Sequence, residues 1–131
     1  MQYNSTEIIP NKVLVQLDSK GKSLSSTPLF MVHAIEGDVS ALRLIASQLN
    51  CPVWGLQCTA AAPLTSMKEL ASYYIQQVRN IQKSGPYRLL GYSFGAAVAF
   101  EMGTLLESAG ECVNLILIDG SPSYVATHKG Q

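Results

Sequence analysis

The chain has 131 residues, 47% of them apolar and 14% charged, and 9 basic side chains balance 9 acidic ones for a formal net charge of +0. That length carries one modest domain with a real core, and the composition is not that of a disordered segment. No basic stripe exists to follow a phosphate backbone, no apolar run approaches the ~18 residues of a membrane span, and the opening MQYNSTEIIPNK lacks a signal-peptide layout, so nucleic acid and membrane are set aside as partners. Three cysteines, Cys51, Cys58 and Cys112, show no metal-like pairing and read as buried free thiols of a cytoplasmic protein.

Residues 1–27 hold one alternating segment, Lys12 to Leu17 (KVLVQL), a possible edge strand. The following DSKGKSLSSTP is rich in Ser, Lys and Gly, so the whole stretch reads as a linker or tether into a domain over residues 28–131. Leu29 to Val32 is a continuous apolar run, as in a strand buried on both faces of a parallel sheet. It ends in the turn His33-Ala34-Ile35-Glu36-Gly37. Asp38 or Ser40 can cap the next helix, which carries Leu42, Ile45 and Leu49 on one face. Cys51-Pro52 stops it, Val53 to Leu56 forms a second strand, and TAAAPL is a connection.

Ser66 and Glu69 then form a capping-box pattern. Met67, Leu70, Ala71, Tyr74, Ile75, Val78 and Ile81 recur at helical spacing until Gly85-Pro86. A third strand, Tyr87 to Leu90, runs into Gly91-Tyr92-Ser93-Phe94-Gly95. A helix with Ala97, Val98, Met102, Leu105 and Leu106 on one face follows at once, and Gly110 suits its C-cap. Val113 to Ile118 (VNLILI) reads as a fourth buried strand, ending at Asp119-Gly120-Ser121-Pro122. The last residues, SYVATHKGQ, show no pattern. Strand and helix alternate three times before a final strand, which implies a mostly parallel sheet with helices on both faces.

Ligands bind such sheets at the carboxyl ends of the strands, where strand order reverses. Three unusual turns lie there: HAIEG, GYSFG and DGSP. G-x-S-x-G between a strand and a helix is the pattern of a nucleophile elbow, which makes Ser93 the nucleophile candidate. A serine attacks only when a base takes its proton and a carboxylate orients the base. Asp119 is the acid candidate, or else an Asx-type turn residue before Gly120. The two oxyanion donors would be the backbone amides of Phe94 and Ile35, unless HAIEG is an ordinary strand-to-helix loop. His33 lies on that loop and reads as structural. His128 sits in the unpatterned tail. Neither reads as the base.

PLFMVHAIEG (28–37), VWGLQCTAAAPL (53–64), GPYRLLGYSFGAAVAFEM (85–102) and LILIDGSPSYV (115–125) together resemble the thioesterase domain of animal-type fatty acid synthase. GYSFG is shared with thioesterases of polyketide and peptide synthetases; the GLQCT-x-AAPL segment and the DGSPSYV ending are more specific to the fatty acid synthase branch. The resemblance implies an α/β-hydrolase that releases long-chain fatty acid from the phosphopantetheine thiol of an acyl carrier protein, with no cofactor of its own. It implies Ser93 as nucleophile, Asp119 as triad acid, and the Ile35 and Phe94 amides as oxyanion hole. The family's catalytic histidine and its helical insertion lie further on. By the resemblance this is the N-terminal portion of the domain, truncated after the strand ending near Asp119. The carrier protein and other synthase domains would be its partners, and residues 1–27 the tether from the carrier domain. Two rival readings are a synthetase-type or stand-alone editing thioesterase, and a non-catalytic fragment whose last strand leaves an apolar edge exposed.

Overall fold

The structure, a computed structural model, describes residues 12–17, 27–33, 42–118 and 125–129. In chain order its elements are β1 (Leu14–Leu17), β2 (Leu29–Val32), α1 (Arg43–Ser47), β3 (Val53–Leu56), α2 (Met67–Ile81), β4 (Tyr87–Tyr92), α3 (Phe94–Ser108), β5 (Val113–Ile118) and β6 (Val125–Lys129). The strands form one sheet in the order β1-β3-β2-β4-β5-β6. The four central strands β3, β2, β4 and β5 are parallel, and β1 and β6 flank them antiparallel.

Period-two alternation sorts the side chains of the central strands onto two faces. Phe30, Val32, Tyr87 and Leu89 pack with Leu70, Tyr74 and Val78 of α2 and Val98, Met102 and Leu106 of α3. Leu29, Met31, Val53 and Leu90 pack with Leu42 and Ala46 on the opposite face. The helices thus cover both faces, as the alternating pattern implied. Ser66 caps α2 with its side-chain oxygen, which accepts the Glu69 amide at 3.1 Å.

Several boundaries differ from the sequence reading. The edge strand expected within residues 12–17 forms over Leu14–Leu17, and Leu17 is buried beside Leu29 and Met31, so the sheet begins well before residue 28. Helix α1 turns Leu42 and Ala46 inward but leaves Ile45 39% exposed, because positions 42, 46 and 49, not 45, line up on the sheet side. Asp38 and Ser40 lie outside the described residues. In α3 Ala97 is exposed and Ala96 and Ala99 are buried in its place. Strand β5 is buried on one face only: Val113, Leu115 and Leu117 point inward, while Ile116 is 39% exposed. Of the cysteines only Cys51 is buried; Cys58 is half-buried and Cys112 exposed.

The largest difference is β6. The tail without pattern is a strand, pairing Val125 with Ile118 and Lys129 with Asn114. It covers the edge of β5 that was expected to stand open. The signal is weak because the segment VATHK holds a single large apolar residue, and its order comes from the neighbouring strand's unpaired amides and carbonyls.

Candidate functional site

The strand order reverses between β2 and β4. From β2 the chain steps outward to β3, then returns to the other side of β2. A crevice opens at the carboxyl ends of strands at such a point. His33 ends β2 there, and Ser93 ends β4.

Ser93 is, among the described residues, the one non-glycine with positive φ, at φ 60° and ψ −123°. An L-residue in that region costs ~1–2 kcal/mol. Three ties hold it. Its amide donates to the Ile118 carbonyl at 2.6 Å, and its carbonyl accepts the Ala96 amide at 2.9 Å. The third tie is steric. A Cβ on Gly91 would lie 2.2 Å from the Gly95 carbonyl oxygen, and a Cβ on Gly95 would lie 2.2 Å from that of His33 and 2.4 Å from that of Val32. Both motif glycines are therefore contact points through which β4, α3 and β2 touch without side chains between them.

The Ser93 hydroxyl makes no capping hydrogen bond to α3, although the residue occupies the N-cap position. Phe94 is the first helical residue, so its amide has no intrahelical acceptor. The helix dipole adds partial positive charge beside the hydroxyl.

His33 is 2% exposed. Its Nε2 lies 2.8 Å from the Tyr74 hydroxyl of α2, with the rings edge to face at 5.6 Å. On its other side it stacks on the Phe94 ring at 5.7 Å and 28°. It is thus a packed, hydrogen-bonded residue, as the sequence reading had it. Burial pushes the Tyr74 phenol well above the usual tyrosine range, and Cys58 and Tyr73 beside it push the same way. Tyr74 read from sequence as one more apolar position of a helix. Nothing in the spacing marks its hydroxyl as a partner of a histidine 41 residues earlier.

Asp119 and Ile35 lie outside the described residues. Their neighbours are placed: Ile118 pairs with Tyr92, and His33 contacts Phe94. His128 is opposite Leu115, which is aligned with Leu89. At ~3.3 Å per residue that register lies about 13 Å down the strand direction from Ser93, and two strands across the sheet. The structure does not bring His128 to the elbow. Among the described residues no group of three or more His, Cys, Asp or Glu is placed to hold a metal ion, and no helix is long and apolar enough to cross a membrane.

Strand, strained serine, helix and parallel sheet together define a domain of the α/β-hydrolase class. The Thioesterase domain family matches residues 27–131, and the chain belongs to that family. The polyketide synthase PksR of Bacillus subtilis (strain 168) is 36% identical over 135 residues, covering 100% of this chain and 5% of PksR. Indigoidine synthase of Dickeya dadantii (strain 3937) is 41% identical over 121 residues, covering 86% of this chain and 8% of that protein. The thioesterase domain of NocB, solved in covalent complex with a fluorophosphonate nocardicin G analog, superposes with a TM-score of 0.67 at 27% identity, covering 75% of this chain and 45% of that one. The chain spans a small part of each curated relative and under half of that solved thioesterase chain. The relatives are of the polyketide and peptide synthetase kind, so the expected placement in the animal fatty acid synthase branch is not supported.

Proposed function

We propose that this chain carries the nucleophile and the oxyanion side of a thioesterase that releases a polyketide or peptide-type acyl chain from a carrier protein. The strained Ser93 carries the reading, with its hydroxyl uncommitted at a helix N-terminus. Ser93 Oγ attacks the thioester carbonyl carbon as a base takes its proton. The oxyanion is held by the amides of Phe94 and Ile35. The carbon–sulfur bond breaks, the phosphopantetheine sulfur leaves as a thiol with that proton, and the acyl group stays on Ser93. Water, deprotonated by the same base, then attacks the acyl carbon; the bond to Ser93 Oγ breaks, Oγ takes that proton back, and the free acid leaves. Asp119 is the carboxylate that orients the base. His33 is committed to Tyr74 and Phe94, and His128 is displaced by register, so the base role is assigned to neither.

The substrate class follows from the relatives: a synthetase intermediate on a carrier domain's phosphopantetheine, with the carrier as partner. The test uses the synthetase or thioesterase that contains this stretch. Carrier protein loaded with polyketide, peptidyl or palmitoyl groups is supplied, and acyl-Ser93 and free acid are followed by mass spectrometry. Ser93→Ala is expected to lower release by at least about 10³-fold. Unchanged release by that variant refutes the nucleophile. A clear preference for palmitoyl over the other two groups refutes the substrate class and restores the fatty acid synthase reading.

A further inference from the structure

We propose that the Tyr74 hydroxyl is a positioning group for the oxyanion side of this site, acting through the His33 imidazole on Phe94. The inference rests on the thioesterase reading above.

Tyr74 is fully buried in the core between α2 and the sheet. A phenylalanine would fill the same space without the cost of desolvating a hydroxyl. The hydroxyl meets His33 Nε2 at 2.8 Å. A buried polar pair is of little net use to stability, since an apolar pair of similar shape does as well. What it adds is a fixed direction, because a hydrogen bond constrains ring orientation where apolar packing does not.

That orientation reaches the site by two routes. The imidazole lies against the Phe94 ring, and the carbonyl of the same residue is what the Cα of Gly95 is pressed onto. His33 therefore holds two successive residues at the start of α3, one with its side chain and one with its main chain. Its amide is also tied to Leu56 of β3 at 3.1 Å. A group that fixes His33 thus sits beneath the Phe94 amide. Displacements of about 1 Å at a reacting centre cost on the order of 10²-fold in rate.

Two readouts test this. The first needs no turnover: the ¹⁵N-edited NMR spectrum of the full chain. Tyr74→Phe is expected to shift the Phe94 amide resonance and to speed its exchange with solvent several-fold. Tyr87→Phe removes a buried hydroxyl at the far end of β4 and is expected to leave Phe94 unmoved. His33→Gln, which loses the ring, is expected to repeat the Tyr74→Phe shift and serves if that variant folds poorly. The second readout is acylation of Ser93 in the containing enzyme. Tyr74→Phe is expected to slow it by about 10- to 100-fold with KM changed less than about twofold. In a Phe94→Leu background the same substitution is expected to add less than about a further twofold, since both break one line of contact. An unmoved Phe94 amide overturns the proposal, and so does unchanged acylation in Tyr74→Phe. A wild-type enzyme that never acylates Ser93 sinks the thioesterase reading instead, and the Phe94 resonance still decides whether Tyr74 positions it.

Discussion

Replacing Gly95 by alanine puts a methyl group 2.2 Å from the His33 carbonyl oxygen and 2.4 Å from that of Val32. Real Cβ contacts essentially never fall below 3.0 Å, so α3 and the end of β2 must part by roughly 0.8 Å. Neither obstacle is a side chain that can swing away. His33 is further pinned by the hydrogen bond its backbone N–H donates to the Leu56 carbonyl at 3.1 Å. Overpacking of this kind costs ~1–3 kcal/mol, and a backbone-on-backbone clash belongs at the top of that range. At about 3 kcal/mol the variant loses roughly a fifth to three fifths of a typical domain's stability, or about 10–15 °C in Tm. Gly103 supplies the control on the same helix. A Cβ there meets Leu115 Cδ2 at 3.4 Å and Val113 Cγ1 at 3.5 Å, ordinary contact. Gly103→Ala should therefore keep the ~1 kcal/mol of helix propensity that alanine gains over glycine. Urea unfolding of both variants, followed by far-UV circular dichroism and by the fluorescence of the single tryptophan, Trp54, measures the difference. If Gly95→Ala lies within about 1 kcal/mol of Gly103→Ala at equal m-values, the close-approach account of the motif glycines is wrong.

Ser66→Ala should lower stability by about 1 kcal/mol, read from the urea midpoint, because the Glu69 amide loses its acceptor; Ser66→Asp should restore it. At high pH the unfolded chain gives up the Tyr74 proton near pH 10, while the folded chain, with its phenol pushed above that, keeps it. The contribution is complete below about pH 10 and is lost as pH rises further, at no more than ~1.4 kcal/mol per pH unit. Tyr74→Phe should flatten that alkaline fall in unfolding midpoints taken from pH 8 to 11. His128→Ala should leave acylation of Ser93 within about twofold of wild type, measured by intact mass. A loss of about 10³-fold or more would return His128 to candidacy as the base.

The parts of the fold legible in the sequence are those where one physical signal dominates. Leu29 to Val32 and Val53 to Leu56 are apolar runs that fit only the sheet interior. Ser66 and Glu69 mark a helix start by side-chain chemistry, and Gly91 and Gly95 flank a tight turn at positions with no room for a Cβ. Where tertiary contacts decide, the sequence is silent. Ile45 and Ala46 are both apolar, and only the angle of α1 against β1 and β2 determines which is buried. Leu115 and Ile116 are both apolar as well, yet only Leu115 finds a helix above it. Strand β6 has no apolar period of its own and exists as the partner of β5. At the site, the elbow was visible in five residues, whereas the Tyr74–His33–Phe94 contact joins three elements and leaves no mark in any one of them.

Among the described residues two serines stand at helix N-caps, and comparing them shows what the strain at Ser93 accomplishes. Ser66 has φ −156° and ψ 156°, the extended backbone from which a side-chain oxygen reaches the first turn, and its hydroxyl is occupied by the Glu69 amide. Ser93 has φ 60° and ψ −123° and makes no such bond. Relaxing Ser93 to the Ser66 geometry would recover the ~1–2 kcal/mol of strain and a cap worth about 1 kcal/mol more. It would also turn the hydroxyl onto the helix's own amides, where it could not attack a carbonyl and would occupy donors needed for an oxyanion. The Gly91–Gly95 contact, the Gly95–His33 contact and the bond from the Ser93 amide to Ile118 all act against that relaxation. They come from different strands, so no single loosening releases the turn. A structural turn would gain from the relaxed form. Holding the serine away from it from three sides is what the proposed nucleophile role requires.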